Sequence, residues 1–489
     1  MKARAFVLLT SATLASCLAG PNYHPEPAVP PAVLIRTPVS SDSSRAFFDS
    51  LVAARARDTV SATRPRPAEH ALRFDTTMGV AWVEILQDTT LQRLVQIALQ
   101  QNRDVLGAVA RIREFRAEAR SARTLIFPNA SINGSESTNR AALGSTPAIA
   151  YRTARLTADM SWELDFWGRF RRGYEAANAD AAAQEAAERA VVLSLVSDVA
   201  TGYLQLLELD QERGIAERTL ASRRATLDLA RQRFARGVIS ELDVRQFEAL
   251  VASPAVTLAQ VERATAVEEH NLSVLLGTTP TTIVRTGSLA AAVTALRVPD
   301  TLSAALLVRR PDVQQAERQF AAATARVGAT MASNLPAISL TGSYGAQANA
   351  PSQLFRSNSN IYTLSAGFSF PLTALTRGAD QTAAARARAD QAKAAYESAA
   401  LNALRDANDA LVGVRTSRDE MAAQTTQAEA LRYALELAEL RYSSGIASYL
   451  DVLDAQRNLF AAELSLSQAQ LRQLLSAVQL YKALGGSWR

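Results

Sequence analysis

The sequence repeats itself at an offset of 208 residues, so the chain must fold the same unit twice. The clearest copy is a helix end, a tight turn and a new helix start. It reads RYSSGIASYLDVLDAQRNLF from Arg441 to Phe460, against RFARGVISELDVRQFE from Arg233 to Glu248. Gly237, Ser240, Leu242, Asp243 and Val244 fall on Gly445, Ser448, Leu450, Asp451 and Val452. Tyr442 closes an apolar-periodic segment, and the glycine stands where a helix stops in a left-handed residue. Ser448 then caps the next helix with Asp451 three residues on, the S-x-x-D form of a capping box that Ser240 and Asp243 also carry. The register holds far upstream without a gap. Asp104-Val105 falls on Asp312-Val313, Pro128 on Pro336, Ser131 on Ser339, Gly134 on Gly342 and Arg169 on Arg377. A unit this long is a tandem duplication, not a short solenoid repeat.

Few aromatics (6%) and much Ala, Leu, Arg, Gln and Glu indicate long helices. A net charge of +5 with acids and bases interspersed gives no nucleic-acid-binding patch. Three histidines (His24, His70, His270) and one cysteine leave nothing for a catalytic triad, a metal cluster or a bound cofactor. Glu268-Glu269-His270 reads as a solvated helix face. No apolar span of about 20 residues follows the N-terminus, so no membrane-crossing helix is expected.

The N-terminus carries an address. Met1 to Arg4 is short and positive, Ala5 to Leu14 is apolar, and Leu14-Ala15-Ser16 precedes Cys17, the sole cysteine. This reads as a bacterial lipoprotein signal over residues 1–16, with Cys17 carrying lipid in the outer membrane; an ordinary signal peptide with a chance cysteine is the alternative. Residues 17–76, rich in Pro, Ser, Ala and Arg, are expected to form a lipid-anchored extended segment. Residues 77–298 and 299–489 are the two repeats, each in the order helix, β-hairpin, long helix, helix.

Within each repeat the period changes. Trp82 to about Leu125 reads as one helix, with a stripe of Leu91, Leu94, Val95, Ala98 and Leu99, and Phe127-Pro128 ends it. Period two follows. Ala154, Leu156, Ala158, Met160 and Trp162 interleave with Thr153, Arg155, Thr157, Asp159 and Ser161; Tyr362, Leu364, Ala366, Phe368 and Phe370 interleave with Thr363, Ser365, Gly367 and Ser369. Runs of about 10 to 12 residues suit tilted transmembrane strands, and Tyr151, Trp162, Tyr362 and Phe370 lie where interfacial aromatics belong. The helices after the hairpins are very long. Heptads run through Val192, Val199, Leu206, Leu220, Leu227 and Phe234, then through Leu450, Leu464, Leu471 and Val478 and through Leu453, Phe460, Leu474 and Tyr481. Pro254 should kink or bulge its helix. Four strands cannot close a membrane barrel, and lipid tolerates no open edge, so the chain must oligomerise. Strand number alone permits a dimer of eight strands or a trimer of twelve; the polar inner face, which implies water, favours twelve.

These residues resemble the TolC/OprM-like outer-membrane efflux channels, in their lipoprotein branch. The matching motifs are Cys17 with Gly20-Pro21-Asn22-Tyr23, Trp162-Glu163-Leu164-Asp165, Arg309-Arg310-Pro311-Asp312, Tyr449 to Arg457 and Leu480 to Trp488. The resemblance implies a mainly α fold with a transmembrane β-barrel portion. Coiled-coil helices would form a periplasmic α-barrel, and four strands per subunit a twelve-stranded barrel in a homotrimer. It also implies a periplasmic adaptor and an inner-membrane RND-type pump as partners, and export of drugs or other small molecules. The stretch from about Ser40 to Asp75 is longer than is usual in the family. Ala447 replaces a basic residue that ties the closed tip in some relatives.

Asp451 and Asp454 stand at i and i+3 on one helical face just inside the turn. Capping accounts for Asp451 but not for Asp454, whose counterpart is Gln246. The resemblance places the periplasmic constriction here, so three subunits would bring six carboxylates to a cation-attracting narrow point. The tip turns, with Gly237, Ser240, Asp243, Tyr442, Gly445 and Ser448, are the expected adaptor dock. A protein-secretion duct and a structural coiled-coil lipoprotein are the rival functions; a tether would need no barrel strands.

Overall fold

The computed structural model describes residues 18–24, 88–141, 149–296, 309–446 and 448–486; Cys17, Ala447 and the 40–75 stretch lie outside them. Its elements are α1 (Thr89–Gln101), α2 (Arg103–Thr124), β1 (Asn129–Ala141), β2 (Ile149–Leu164), α3 (Arg169–Ala235), α4 (Glu241–Leu275), α5 (Leu289–Ala295), α6 (Pro311–Ser333), β3 (Ala337–Ala348), β4 (Asn360–Ser369), α7 (Ala374–Ser443) and α8 (Tyr449–Ala483). The order α2-β1-β2-α3-α4 recurs as α6-β3-β4-α7-α8. The chain forms two compact units, one of residues 1–26, 110–186 and 314–398, the other of residues 27–109, 187–313 and 399–489.

The first unit holds a four-stranded antiparallel sheet in the order β1-β2-β3-β4. The repeats meet at β2 and β3, where Leu164 pairs with Ile338 and Ala154 with Ala348. Strands alternate their side chains, so one row across the sheet belongs to one face. Ile132, Ala158, Tyr344 and Tyr362 form such a row, and Ser131, Asp159, Ser343 and Thr363 form the next. The strands have 13, 16, 12 and 10 residues, so β1 and β2 exceed the expected length. Tyr151 pairs with Asn139 on the parity of the polar face, and so does not join the outward aromatics. Residues 18–24 strap onto this unit. Gly20, at φ 91°, crosses Gly328 so closely that a Cβ on it would lie 2.3 Å from the Gly328 Cα. The buried Arg172 donates to Asn22 Oδ1 at 2.5 Å, and the Tyr23 hydroxyl donates to Glu317 at 3.2 Å.

The second unit is helical. Its main core gathers Leu91, Leu94 and Val95 from α1, Val199, Tyr203 and Leu206 from α3, Leu272 from α4 and Leu474 and Tyr481 from α8. Two caps repeat with different chemistry. Asn102 accepts from Asp104 N and Val105 N to start α2, and its amide donates to Leu275 O at the end of α4. Arg310, 208 residues on, donates to Ala483 O at the end of α8 and pairs with Asp312 and Asp406. Asn102 also splits the single helix expected over Trp82 to Leu125, because its side chain caps a new helix in place of continuing the old one.

The heptads pack as expected except at their tip ends. Leu453, Phe460, Leu474 and Tyr481 are all buried, whereas Phe234 and Leu450 are 45% and 53% exposed. Both lie at the tips, where the described residues leave them uncovered. Pro254 lies inside α4, which is helical from Glu241 to Leu275. One helix, Arg169–Ala235, does contain a window apolar enough to span a bilayer, but more than half of it is buried. Val199, Leu204 and Leu206 of that helix belong to the protein core.

Candidate functional site

Two places in the molecule bear on function: the paired helix tips and the sheet. At the tips, both turns close with the same bonds. Gly237 and Gly445 each sit at φ 72°. Val238 N donates to Arg233 O and Ile446 N to Arg441 O, both at 2.9 Å, so a carbonyl of the last turn accepts from the residue after the glycine. Ser240 and Asp243 then form a complete capping box, with Ser240 N donating to Asp243 Oδ2 at 2.8 Å and Asp243 N to Ser240 Oγ at 3.3 Å.

The second tip departs from the expected box. Ser448 accepts from Leu450 N at 3.2 Å, and the reciprocal bond from Asp451 is not made. The Asp451 carboxylate therefore stays outside the cap and exposed, while Val452 and Leu453 beside it are buried. Asp454 is exposed on the same face. It accepts from Arg457 Nη2 at 2.6 Å, a surface pair worth little in stability but one that places a cation among the carboxylates. The sequence reading missed Arg457, although an i,i+3 acid–base pair on an exposed helix face is a legible signal.

The two tips touch. Tyr442 stacks edge-on against Tyr449 at 4.8 Å, Tyr449 lies 4.7 Å from Phe247, and Arg233 donates to the Tyr442 hydroxyl. Burial pushes the Tyr449 phenol up to about 12, so it stays neutral. Beneath them Leu227, Ala230, Val244, Phe247 and Leu453 form a small core. Apolar residues remain uncovered in matching pairs: Val238 and Leu242 on the first tip, and their counterparts Ile446 and Leu450 on the second. That symmetry was readable in the duplicated turns and was overlooked.

On the sheet, the apolar row is exposed (Ile132 80%, Tyr362 82%), and Leu364 and Phe368 extend it. The opposite face is hydrophilic. Asn133 donates to Asp159 Oδ2 at 2.7 Å and Arg155 to Ser343 at 3.2 Å. β1 and β4 are the outer strands, so each has one edge unpaired among the described residues. An exposed apolar face, a polar face and two open edges suit a barrel segment in lipid.

A model of the outer membrane efflux protein family matches residues 94–278 and 302–486, two stretches offset by 208 residues. The chain belongs to the outer membrane efflux protein family. It is 35% identical over 415 residues to the solvent efflux pump outer membrane protein SrpC of Pseudomonas putida, covering 83% of this chain and 87% of that one. It is 29% identical over 408 residues to the probable outer membrane lipoprotein SilC of Salmonella typhimurium, covering 83% and 88%. Among solved structures, the outer-membrane channel OprN superposes with a TM-score of 0.77 at 30% identity, covering 88% of this chain and 99% of that one. As an outer membrane efflux protein, the chain resides in the bacterial outer membrane and serves as the channel component of an efflux pump.

Proposed function

We propose that three copies of the chain close a twelve-stranded barrel and form a duct that passively carries small organic molecules, drugs or solvents among them, out of the cell. The observation that carries this is the four-strand sheet, whose exposed apolar rows, polar rows and unpaired edges make a single chain an incomplete barrel. Lipid on Cys17 anchors each subunit. The strap of residues 18–24, which follows directly, would hold that anchor to the sheet unit. The name of SilC as a lipoprotein is consistent with this.

At the helix tips, Asp451 and Asp454 of each subunit form the constriction. The tip turns with Gly237, Ser240, Asp243, Tyr442, Gly445 and Ser448 receive a periplasmic adaptor, which links the duct to an inner-membrane pump of the RND type. Val238, Leu242, Ile446 and Leu450 give that dock its apolar contact. The constriction is tested in planar bilayers: D451A/D454A should abolish block by divalent cations, and unchanged block would remove both residues from the gate. Crosslinkers placed at Ser240 or Ser444 should capture the adaptor in cells; persistent failure to do so would count against tip docking.

A further inference from the structure

Pro254 stands in the middle of α4, yet the helix is unbroken from Glu241 to Leu275. Proline has no N–H, so the carbonyl four residues back, Leu250 O, loses its helical donor. Another helix supplies one. Arg223 of α3 donates Nη1 to Leu250 O at 2.8 Å and reaches Gln456 O of α8 with Nη2 at 3.4 Å. Its guanidinium lies over the Phe460 ring, 5.1 Å from the centroid, and the residue is 3% exposed.

The Arg223–Pro254 pair has no counterpart at the matched positions of the second repeat. Leu431 stands at the position of Arg223, and Ala462 at that of Pro254. A buried guanidinium is costly, and among the described residues this one faces carbonyls and no carboxylate. Burial and the nearby Arg457 charge both act against its protonated form. Packing alone needs only the Leu and Ala of the other copy. The acceptor Gln456 is two residues beyond Asp454 and adjacent to Arg457.

We propose that Arg223 is a positioning residue: anchored on the carbonyl that Pro254 leaves free, it sets the place of the α8 segment that bears Asp451 and Asp454. The short bond to Leu250 is the fixed end. The long bond to Gln456 is the end that yields when α8 shifts. The inference rests on Asp451 and Asp454 being the constriction.

The test uses full-length R223L, R223K and P254A, each purified as the assembled protein. Readouts are divalent-cation block and resting conductance in planar bilayers, with unfolding temperature alongside. Losing a charged hydrogen bond corresponds to roughly tenfold in an equilibrium. R223L should therefore raise the cation concentration for half-block about tenfold and increase resting conductance. R223K keeps the charge and a bond to Leu250 but cannot bridge both helices, so it should restore stability without restoring block. P254A returns a donor to Leu250 O and should shift block the same way by less. R223L/P254A should equal R223L alone, because the two residues act as one device.

Wild-type block in assembled R223L would overturn the inference, even if its unfolding temperature changed. Should R223L not assemble, wild-type block in P254A would overturn it equally. A wild-type channel whose block is untouched by D451A/D454A would instead overturn the constriction itself, and the inference with it.

Discussion

The two copies of the repeat share their turns and differ in which matched positions hold an ionisable group inside. The first copy buries Glu208 and Arg223 and ties Asp243 into a capping box, while the second buries Arg310 where the first has Asn102. The second copy places Thr416 and Leu431 at the first two positions and leaves Asp451, with Asp454, facing outward. Duplication supplied two identical helix hairpins, and divergence made one a support and the other a surface. The turn geometry did not have to change, since both glycines retain φ 72°.

The largest expected contrast is in pH dependence. Burial first, then the neighbouring Glu212, pushes the Glu208 carboxyl from 4.5 up to about 8. Ser467 and then Arg472, itself paired with Glu420, act in the opposite direction. The folded protein then keeps a proton that the unfolded chain has released, so stability falls as pH rises from about 4.5 to about 8 and levels off above. The span is on the order of 5 kcal/mol. E208Q should flatten the profile of unfolding temperature against pH. A T416V change in the second copy should leave it unaltered.

Next come the helix-ending glycines. A Cβ on Gly277, at φ 74°, would lie 2.3 Å from Gln101 O, whereas Gly237 and Gly445 have open space around them. G277A should cost about 3 kcal/mol, combining clash and left-handed strain, and G237A and G445A about 1 kcal/mol each. Equal losses at all three positions in unfolding experiments would contradict the packing described for Gly277. Smaller still is the capping difference. S240A should lose about 1.5 kcal/mol and S448A about 0.5, since only the first serine belongs to a complete box. Finally, D243N should destabilise measurably, while D451N should leave unfolding unchanged and alter only cation block. A destabilised D451N would mean that Asp451 is a cap after all.

Much of this was legible in the chain. The offset of 208 located both hairpins and both tips, because a left-handed glycine followed by a capping serine is a local signal. Alternation located the strands, because period two survives wherever the two faces meet different solvents. What escaped was set by contacts distant in sequence. Asn102 breaks its helix in order to bind Leu275, 173 residues away. The carbonyl of Leu250, which Pro254 leaves without a helical donor, is taken by Arg223 of another helix. The box at Ser448 has the right residues, but only the side-chain geometry shows that it is left open. The second pair of positive-φ glycines, Gly277 and Gly485, was readable at the same offset and was overlooked.

The mass and conductance of the wild-type protein extracted from outer membranes test the trimeric channel most directly. The expected result is a particle of three chains in detergent that forms poorly conducting channels at rest, with conductance rising when Asp451 and Asp454 are neutralised. A particle of one chain that forms no channel would contradict it, and would leave the sheet's exposed apolar face without a role.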